Sequence, residues 1–254
     1  AMLAAMGRLR LIACFTVGYD GVDLDWARAN GIAVSHAGDA NAEDVADHAI
    51  GLILAHRRQI VSGDRALRAG EWLPGGKTIT RSIAGARLGI VGMGSIGIAI
   101  AARADVLRMT TRWWGPRDKP SLAWPRSESL EALAAESDIL VVAARATDDN
   151  RGMISAAIID ALGPNGLLVN VARGQLVDED ALIDALRAGR LGGAALDVYA
   201  QEPTDPARWA DVPNCILTPH TGGATDAAVA QMAQMLLANI RAFVAEEPLP
   251  NRVL

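Results

Sequence analysis

The chain has 254 residues, of which 51% are hydrophobic and 21% are charged, a composition typical of globular proteins. Its formal net charge of −5 argues against nucleic acid as a partner. The sequence has no uninterrupted apolar run of the roughly 18 residues that span a bilayer, and no signal-peptide pattern at its start. Cys14 and Cys215 lack metal or disulfide spacing. We therefore expect a cytoplasmic protein with no membrane contact and no metal site.

The first part of the chain alternates strand patterns with helical patterns. Strand patterns at 9–15 and 32–37 flank a helical pattern that ends at Gly31. Residues 44–69 then carry apolar side chains at helical spacing. Because this segment is longer than an ordinary helix, we expect either a kink, for which Gly63 is the candidate, or burial at an interface.

From residue 87 onward, apolar runs alternate regularly with helical stretches. The runs lie at 87–91, 108–114, 138–144, 166–172, 192–198 and 214–220. Continuous apolar strands separated by helices are typical of a parallel sheet covered on both faces. The sequence therefore predicts an α/β fold with a doubly wound parallel sheet (a Rossmann fold). A second, smaller unit is expected from the two chain ends, including a helix at 225–245.

A glycine-rich turn of the form G-x-G-x-x-G lies between the strand pattern at 87–91 and the next helix. The first glycine permits the tight turn, the second lets a pyrophosphate approach the backbone, and the third lets helix and strand pack closely. The amides at the helix N-terminus then face the phosphates. An ordinary tight turn is the simpler alternative. The pattern predicts a dinucleotide site at Gly92, Gly94, Ser95, Ile96 and Gly97.

The strand pattern at 108–114 is not followed by the acidic residue that commonly binds a ribose 2′-hydroxyl. Gly115 stands at that position. Because a carboxylate would repel a 2′-phosphate whereas Arg112 or Arg117 would pair with one, the sequence favours NADP(H) and leaves NAD(H) possible. A solvated Arg117 is the alternative, and the nearby Asp118 weakens the preference for NADP(H).

Three polar side chains near the ends of later strands suit the reduction of a 2-oxoacid. Arg173 can hold the carboxylate and keto oxygen, and His220 can donate a proton as a hydride reaches the carbonyl carbon. Glu202 can orient the imidazole. Singly, each has a simpler explanation: the arginine can cap a helix, and Glu202 and His220 can be ordinary loop residues. The other histidines, His36, His48 and His56, are expected to have structural or surface roles.

These segments, with VGYDGVD at 17–23, VADHAIGLILA at 45–55 and the glycine-rich turn, resemble the D-isomer-specific 2-hydroxyacid dehydrogenase family over essentially the whole chain. The glyoxylate/hydroxypyruvate reductase type is most similar, chiefly because the acid after 108–114 is missing. The resemblance implies an oxidoreductase that transfers a hydride between NAD(P)H and a small 2-oxoacid, giving the D-2-hydroxy acid. The alternatives are a dehydrogenase for phosphoglycerate or D-lactate and a cofactor-binding protein without activity.

The resemblance also implies residue roles. Arg173 is expected to bind the substrate, His220 to donate the proton, and Glu202 to pair with His220. The backbone amides of Val17 and Gly18 are expected to receive the substrate carboxylate. Arg145, where the family commonly has proline, is expected to reach adenine or a 2′-phosphate, or else to point to solvent. The cofactor contacts expected beyond the glycine-rich turn are Arg117, Arg145, Thr147, Ala172, Asp197, Gly222 and Gly223, with Asp197 at the nicotinamide carboxamide.

The expected domains are a substrate domain at 1–43 and 224–254 and a dinucleotide-binding domain at 44–223. In the family, the segment corresponding to 44–69 buries against its twin, which implies a homodimer. Family members also carry roughly 50–60 further residues before the region that matches 9–15, so the sheet of the smaller, flavodoxin-like domain is expected to be incomplete and to have an exposed edge.

Overall fold

The computed structural model describes residues 5–72 and 79–254, so residues 1–4 of the predicted smaller domain and 73–78 of the predicted larger one lie outside it. The chain divides into two compact units. The smaller one consists of Ala1–Asp44 and Gly223–Leu254, and the larger one is Val45–Gly222.

The smaller unit contains a two-stranded parallel sheet. Strand β1 (Leu11–Ala13) pairs with β2 (Ala33–Ser35), and helix α1 (Leu24–Ala29) connects them. Two small apolar clusters form its core, made of Ala27, Ile32 and Val34, and of Ala37, Ala40, Ala228 and Met232. Both strand patterns and the helical pattern between them are confirmed, whereas the flavodoxin-like character of this unit stays a prediction.

The last helix, α8 (Asp226–Val244), is 19 residues long and confirms the helical pattern at 225–245. Among the described residues it is the one helix long and apolar enough to cross a bilayer, with a mean hydropathy of 1.3 over 18 residues, 22% of them buried. Length and average hydropathy alone are weak evidence for a membrane span, because helices that bury one face in a protein core meet the same test.

The segment at 44–69 forms two helices, α2 (Ala42–Arg57) and α3 (Ile60–Arg68). The predicted break at Gly63 is wrong, because Gly63 lies within α3. The chain breaks instead at Gln59, whose φ of 52° is in the left-handed region. Helix α2 packs into the core through Val45, Ala46, Ala49 and other residues of one face, whereas α3 has no buried residue.

The larger unit contains a six-stranded, fully parallel sheet in the order β4-β3-β5-β6-β7-β8. The strands are β3 (Arg87–Val91), β4 (Thr110–Trp114), β5 (Ile139–Val142), β6 (Leu167–Asn170), β7 (Gly193–Leu196) and β8 (Cys215–Leu217). The helices between them are α4 (Ser95–Val106), α5 (Leu130–Ala135), α6 (Ala156–Leu162) and α7 (Glu179–Arg187). The predicted doubly wound Rossmann fold is confirmed.

Successive side chains of the central strands enter cores on opposite faces of this sheet. On β5, Ile139 and Val141 pack in the core that includes α2 and α4, and Leu140 and Val142 pack in the core that includes α6 and α7. Burial on both faces explains why these strands are continuously apolar. Because all six strands are parallel, the loops that follow them emerge at one edge, where α/β sheets bind ligands.

The core of the sheet yields a matched pair of substitutions. The side chain of Val141 is fully buried and that of Val106, on α4, is 83% exposed. We expect Val141→Ala to lower the free energy of unfolding by about 2–3 kcal/mol, from lost burial and the residual cavity. Val106→Ala should change it by less than about 0.5 kcal/mol. Denaturant titration of both variants measures the difference, and equal stabilities would contradict the assignment of Val141 to the core.

Candidate active site

The glycine-rich turn joins β3 to α4. Gly92 has a φ of 94°, and a Cβ there would lie 2.6 Å from the Cα of Ala144. At Gly97 a Cβ would lie 2.1 Å from the carbonyl oxygen of Gly92, so a larger residue would separate helix and turn. At Gly94, by contrast, a Cβ would meet none of the described residues within 4 Å. The turn is thus closed towards the protein and open at Gly94, where α4 presents the amides of its first residues, Ser95 and Ile96.

The loop after β4 places a lysine beside this turn. The Lys119 ammonium donates a hydrogen bond of 2.7 Å to the carbonyl oxygen of Met93, between the first two glycines. Arg117 is exposed. Arg112, considered above for a 2′-phosphate, instead lies 3.1 Å from the Glu136 carboxylate and 3.1 Å from the Ser127 hydroxyl. Sequence analysis missed Lys119, although its position two residues after Arg117 is a usable clue.

The loop after β5 is fixed by an asparagine side chain. The Asn150 side-chain oxygen accepts a 2.8 Å hydrogen bond from the Thr147 amide, and its nitrogen donates one of 2.8 Å to the Arg145 carbonyl. The side chains of Arg145 and Thr147 are exposed. The loop therefore has an ordered backbone with both predicted residues on its outer side.

Arg173 follows β6 in a loop that Asn170 holds. Asn170 accepts a 3.1 Å hydrogen bond from the Ala172 amide and donates one of 3.0 Å to the Arg173 carbonyl. The Arg173 guanidinium donates a 2.7 Å bond to the Ala172 carbonyl. At the next residue, Gly174, a Cβ would lie 1.8 Å from the carbonyl carbon of Tyr199. Only glycine therefore lets the loops after β6 and β7 approach this closely.

His220 and Glu202 form a hydrogen-bonded pair. The His220 Nδ1 lies 2.6 Å from Glu202 Oε2, and Glu202 Oε1 accepts a 3.0 Å bond from the Tyr199 amide. With Nδ1 donating to the carboxylate, Nε2 is left for another partner. The φ of His220 is 54°, in the left-handed region, and its amide donates to the Thr218 carbonyl at 3.0 Å. Such strain is typical of functional sites.

Tyr199 joins the ends of β7 and β8. Its hydroxyl lies 3.3 Å from the Leu196 carbonyl and 2.9 Å from the Thr218 carbonyl. Burial, aided by neighbouring acidic groups, raises the pKa of Tyr199 to about 12, so the phenol stays neutral and acts as a donor. Trp209 packs edge-on against the Tyr199 ring at 5.9 Å. The loop that carries Glu202 is thereby anchored at its start.

Asp197, at the end of β7, has a side chain that is only 3% exposed. Its Oδ1 accepts hydrogen bonds from the Thr218 hydroxyl (2.6 Å) and the Thr221 amide (2.9 Å), and its Oδ2 accepts one from the Gly222 amide (2.8 Å). Burial raises the pKa of Asp197, but hydrogen bonds from these groups and from His48 outweigh it and lower the pKa overall. Asp197 therefore ties β7 to the turn that carries His220.

His48 was expected to have a structural or surface role, and its place beside the His220 turn was not predicted. It lies on α2, and its Nε2 is 3.0 Å from the Thr218 hydroxyl and 3.3 Å from Asp197 Oδ1. The available clue was its helical spacing from Val45 and Leu52, which are core positions. A polar side chain on the core side of a helix indicates a buried partner.

Three of the predicted residues lie in the smaller unit. Val17 accepts a 3.1 Å hydrogen bond at its carbonyl from His36 Nδ1, and Gly18 accepts one of 2.8 Å from the Thr16 hydroxyl. Gly223 lies beside the Asn41 side chain. The other predicted residues lie in the larger unit. Among them, His220 and Glu202 are in direct contact, and the Gly222 amide is hydrogen-bonded to Asp197.

An apolar cavity of about 570 Å³ borders the pair of Glu202 and His220. Its apolar lining comes mainly from Tyr199, Pro203, Pro206, Trp209, Leu217 and Pro219. Few polar groups face it, so the cavity suits an apolar group more than a charged one.

Thiol and metal chemistry find no support in the described part of the chain. Cys14 and Cys215 are free, and burial raises the pKa of Cys215 to about 12, which keeps it a protonated thiol. Within residues 5–72 and 79–254, no three His, Cys, Asp or Glu side chains are grouped as metal ligands. The polar side chains predicted for the carboxyl edge of the sheet are the Arg173 guanidinium, the Glu202 carboxylate and the His220 imidazole.

Comparison with known proteins identifies the family. Residues 50–222 match the model of the D-isomer specific 2-hydroxyacid dehydrogenase NAD binding domain. The chain is 40% identical to hydroxyphenylpyruvate reductase of Plectranthus scutellarioides over 248 residues, covering 98% of this chain and 79% of that protein. It is also 40% identical to glyoxylate/hydroxypyruvate reductase A of Arabidopsis thaliana, covering 95% and 77%.

Solved structures agree with this family. The NADPH-dependent glyoxylate/hydroxypyruvate reductase of Sinorhizobium meliloti, in complex with NADP and malonate, superposes with a TM-score of 0.93 at 34% identity, covering 99% of this chain and 80% of that one. The matching domain, the Rossmann sheet and the glycine-rich turn lead to one conclusion. The chain belongs to the D-isomer-specific 2-hydroxyacid dehydrogenases, a family of NAD(P)-dependent oxidoreductases.

Proposed function

We propose that this protein reduces a small 2-oxoacid, glyoxylate or hydroxypyruvate, to the D-2-hydroxy acid with NADPH as the hydride donor. The observation that carries the proposal is the His220–Glu202 pair at 2.6 Å, held at the end of β8 in a chain of this family. The names of the relatives from Arabidopsis and Sinorhizobium support the choice of substrate.

In the proposed mechanism, Arg173 binds the carboxylate and keto oxygen of the substrate, because a guanidinium offers several donors in one plane. His220 donates a proton from Nε2 to the keto oxygen, while Nδ1 remains bonded to Glu202. Glu202 stabilises the charged imidazolium and fixes its orientation. The nicotinamide, when bound, supplies the hydride to the carbonyl carbon. The role of the Val17 and Gly18 amides at the substrate carboxylate stays a prediction from the family resemblance.

The glycine-rich turn fits a pyrophosphate. The open space at Gly94 and the amides of Ser95 and Ile96 at the start of α4 suit an anion. The remaining contacts predicted from the family are part of the same proposal, with Asp197 acting at the carboxamide side. They are Arg145, Thr147, Ala172, Asp197, Gly222 and Gly223.

The preference for NADPH is proposed to depend on Lys119 and Arg117. Lys119 is bonded to the Met93 carbonyl, within the turn that would receive the pyrophosphate, and it belongs to the loop after β4. Gly115 at the end of β4 presents no carboxylate, and its carbonyl accepts a 2.7 Å bond from Arg126. The local charge therefore favours a 2′-phosphate over a 2′-hydroxyl.

A homodimer that forms through the 44–69 segment, working in the cytoplasm, completes the proposal. Ile60 and Leu67 are each 57% exposed on α3, one heptad apart and hence on one face of the helix. Exposed apolar side chains at this spacing suit burial against a second copy.

An aryl 2-oxoacid is the second candidate substrate. The cavity beside His220, lined by Tyr199, Trp209, Leu217 and other residues, has room for an apolar side chain that hydroxypyruvate lacks. The similarity to hydroxyphenylpyruvate reductase points in the same direction. A panel of glyoxylate, hydroxypyruvate and phenylpyruvate separates the two candidates by kcat/KM.

The proton-donor role of His220 is tested by His220→Gln. We expect kcat for glyoxylate or hydroxypyruvate to fall about a hundredfold or more, because general acid catalysis is lost, while NADPH binding persists. The control is His56→Gln, which changes the same residue type near Gly193, at the opposite end of β7. Loss of NADPH absorbance measures kcat, and a His220→Gln enzyme with wild-type kcat would remove this role. A wild-type protein that reduces none of the three oxoacids would contradict the proposed function.

Lys119→Ala tests the proposed cofactor preference. The KM for NADPH should rise about tenfold, the effect of one lost charge-assisted hydrogen bond, whereas the KM for NADH should stay unchanged. Arg187→Ala, which removes an exposed arginine paired with Asp211, controls for the change in net charge. An equal rise in both KM values would show that Lys119 supports the turn and does not recognise a 2′-phosphate.

The proposed dimer predicts that two charges on α3 dissociate it. Ile60→Asp combined with Leu67→Asp should give a monomer by sedimentation velocity, because charges buried without partners are costly. Val106→Asp, at an exposed apolar position on α4, should leave the dimer intact. A wild-type monomer, or a double variant that stays dimeric, would contradict an interface at α3.

A further inference from the structure

His48 reaches the turn that carries His220 from a different part of the larger unit. It lies on α2, and its side chain is 23% exposed. Ala49 and Leu52 of the same helix are buried in the core against the sheet, so α2 presents His48 from a rigid support. His48 and its partner Thr218 are 170 residues apart in sequence.

The hydrogen bond from His48 helps to hold the Thr218 hydroxyl against Asp197. This hydroxyl has one hydrogen and two possible acceptors, Asp197 Oδ1 at 2.6 Å and the Leu196 carbonyl at 3.4 Å. When His48 Nε2 donates to Thr218 Oγ1 at 3.0 Å, the hydroxyl can accept from the imidazole while it donates to the carboxylate. Without that donor, the hydroxyl keeps its bond to Asp197 but loses the partner that holds it from the other side, so the Thr218 side chain is fixed less firmly.

The Asp197 carboxylate in turn fixes the backbone of the turn that carries His220. Its oxygens accept hydrogen bonds from the amides of Thr221 and Gly222, the two residues directly after His220. On the other side of His220, the Thr218 carbonyl accepts a hydrogen bond from the His220 amide. The left-handed backbone of His220 is thus held between Thr218 on one side and Thr221 and Gly222 on the other, all three bonded to Asp197.

We propose that His48 is a positioning residue for proton transfer, which acts through Thr218 and Asp197 to hold the 218–222 turn in the conformation that aims His220. The inference rests on the proposed function for the role of His220 itself. It assigns His48 no contact with the substrate or cofactor. Its effect should therefore be on kcat and on the order of the turn, with a smaller effect on cofactor binding because Asp197 and Gly222 are also proposed cofactor contacts.

The test compares His48→Leu, which removes the donor, with His48→Gln, whose side-chain amide can replace it. His56→Leu is the matched control, since His56 lies on the same helix but beside Gly193, at the other end of β7. For each full-length variant, kcat, the KM for NADPH and hydrogen exchange at the Thr221 and Gly222 amides are measured. Exchange is read without substrate or cofactor, so it does not depend on activity.

For His48→Leu we expect kcat to fall about tenfold and exchange at both amides to rise about tenfold, with a smaller rise in the KM for NADPH. His48→Gln should restore most of the lost kcat and most of the lost amide protection. His56→Leu removes a partly buried imidazole bonded to the Asn214 backbone, so it should lower stability but leave kcat and exchange at these two amides unchanged. Unchanged kcat and exchange in His48→Leu would overturn the proposal, as would a slower enzyme with unchanged exchange, or a Gln variant as impaired as Leu.

Two further outcomes separate the role proposed for His48 from the proposed function of the protein. If His48→Leu does not fold, Thr218→Val decides, because it removes the same hydroxyl with little change in volume and should give the same loss of kcat and of amide protection. If the wild-type protein reduces no 2-oxoacid, the proposed function fails. Exchange at Thr221 and Gly222 then decides alone whether His48 holds the turn.

Discussion

A buried carboxylate determines how the end of the larger unit is built. Asp197 is almost fully withdrawn from water, and a charge in that position is destabilising by several kcal/mol unless donors surround it. The donors come from Thr218, Thr221 and Gly222 after β8, and the His48 ring on α2 lies 3.3 Å from the same carboxylate. Because these groups all belong to the folded chain itself, the turn after β8 is held in place before any ligand binds. Preorganised groups of this kind lower the cost of catalysis.

This order makes a strained histidine possible. A non-glycine residue in the left-handed region costs of the order of 1 kcal/mol or more, and His220 adopts that region with a φ of 54°. The hydrogen bonds of its flanking residues to Asp197, and of its ring to Glu202, offset that cost. The strained backbone aims the ring, and the carboxylate fixes its rotation. A flexible turn could supply the same imidazole but not the same direction.

The parts of the fold that follow from local pattern could be predicted from the sequence. Strands buried on both faces are continuously apolar, and a G-x-G-x-x-G turn after such a strand has a mechanical reason for every glycine. The break between α2 and α3 shows the limit. Gly63 has the residue type that permits a bend, yet the chain bends at Gln59, where packing of α2 against the sheet and not local propensity sets the backbone.

The site shows the same limit more sharply. Arg173, Glu202 and His220 are recognisable because each stands close after a strand, and parallel strands bring such positions to one edge. His48 touches this site from a residue 170 positions away, a contact that no spacing rule contains. Arg112 looked available for a phosphate in sequence, but the structure pairs it with Glu136. Contacts between side chains of different helices and strands depend on tertiary packing, which cannot be derived from a single sequence.

Tertiary packing also determines which basic residue would discriminate between NADPH and NADH. Arg117 is exposed, and ordering a long flexible side chain on a ligand costs conformational entropy at the moment of binding. The Lys119 side chain is already ordered in the folded protein, because its ammonium is hydrogen-bonded to the Met93 carbonyl. It therefore loses less conformational entropy when a ligand binds. An ammonium has three donors, so one bond to Met93 leaves two for a phosphate. In the proposed NADPH complex the preorganised lysine, and not the more conspicuous arginine, therefore contributes the larger share of the selectivity.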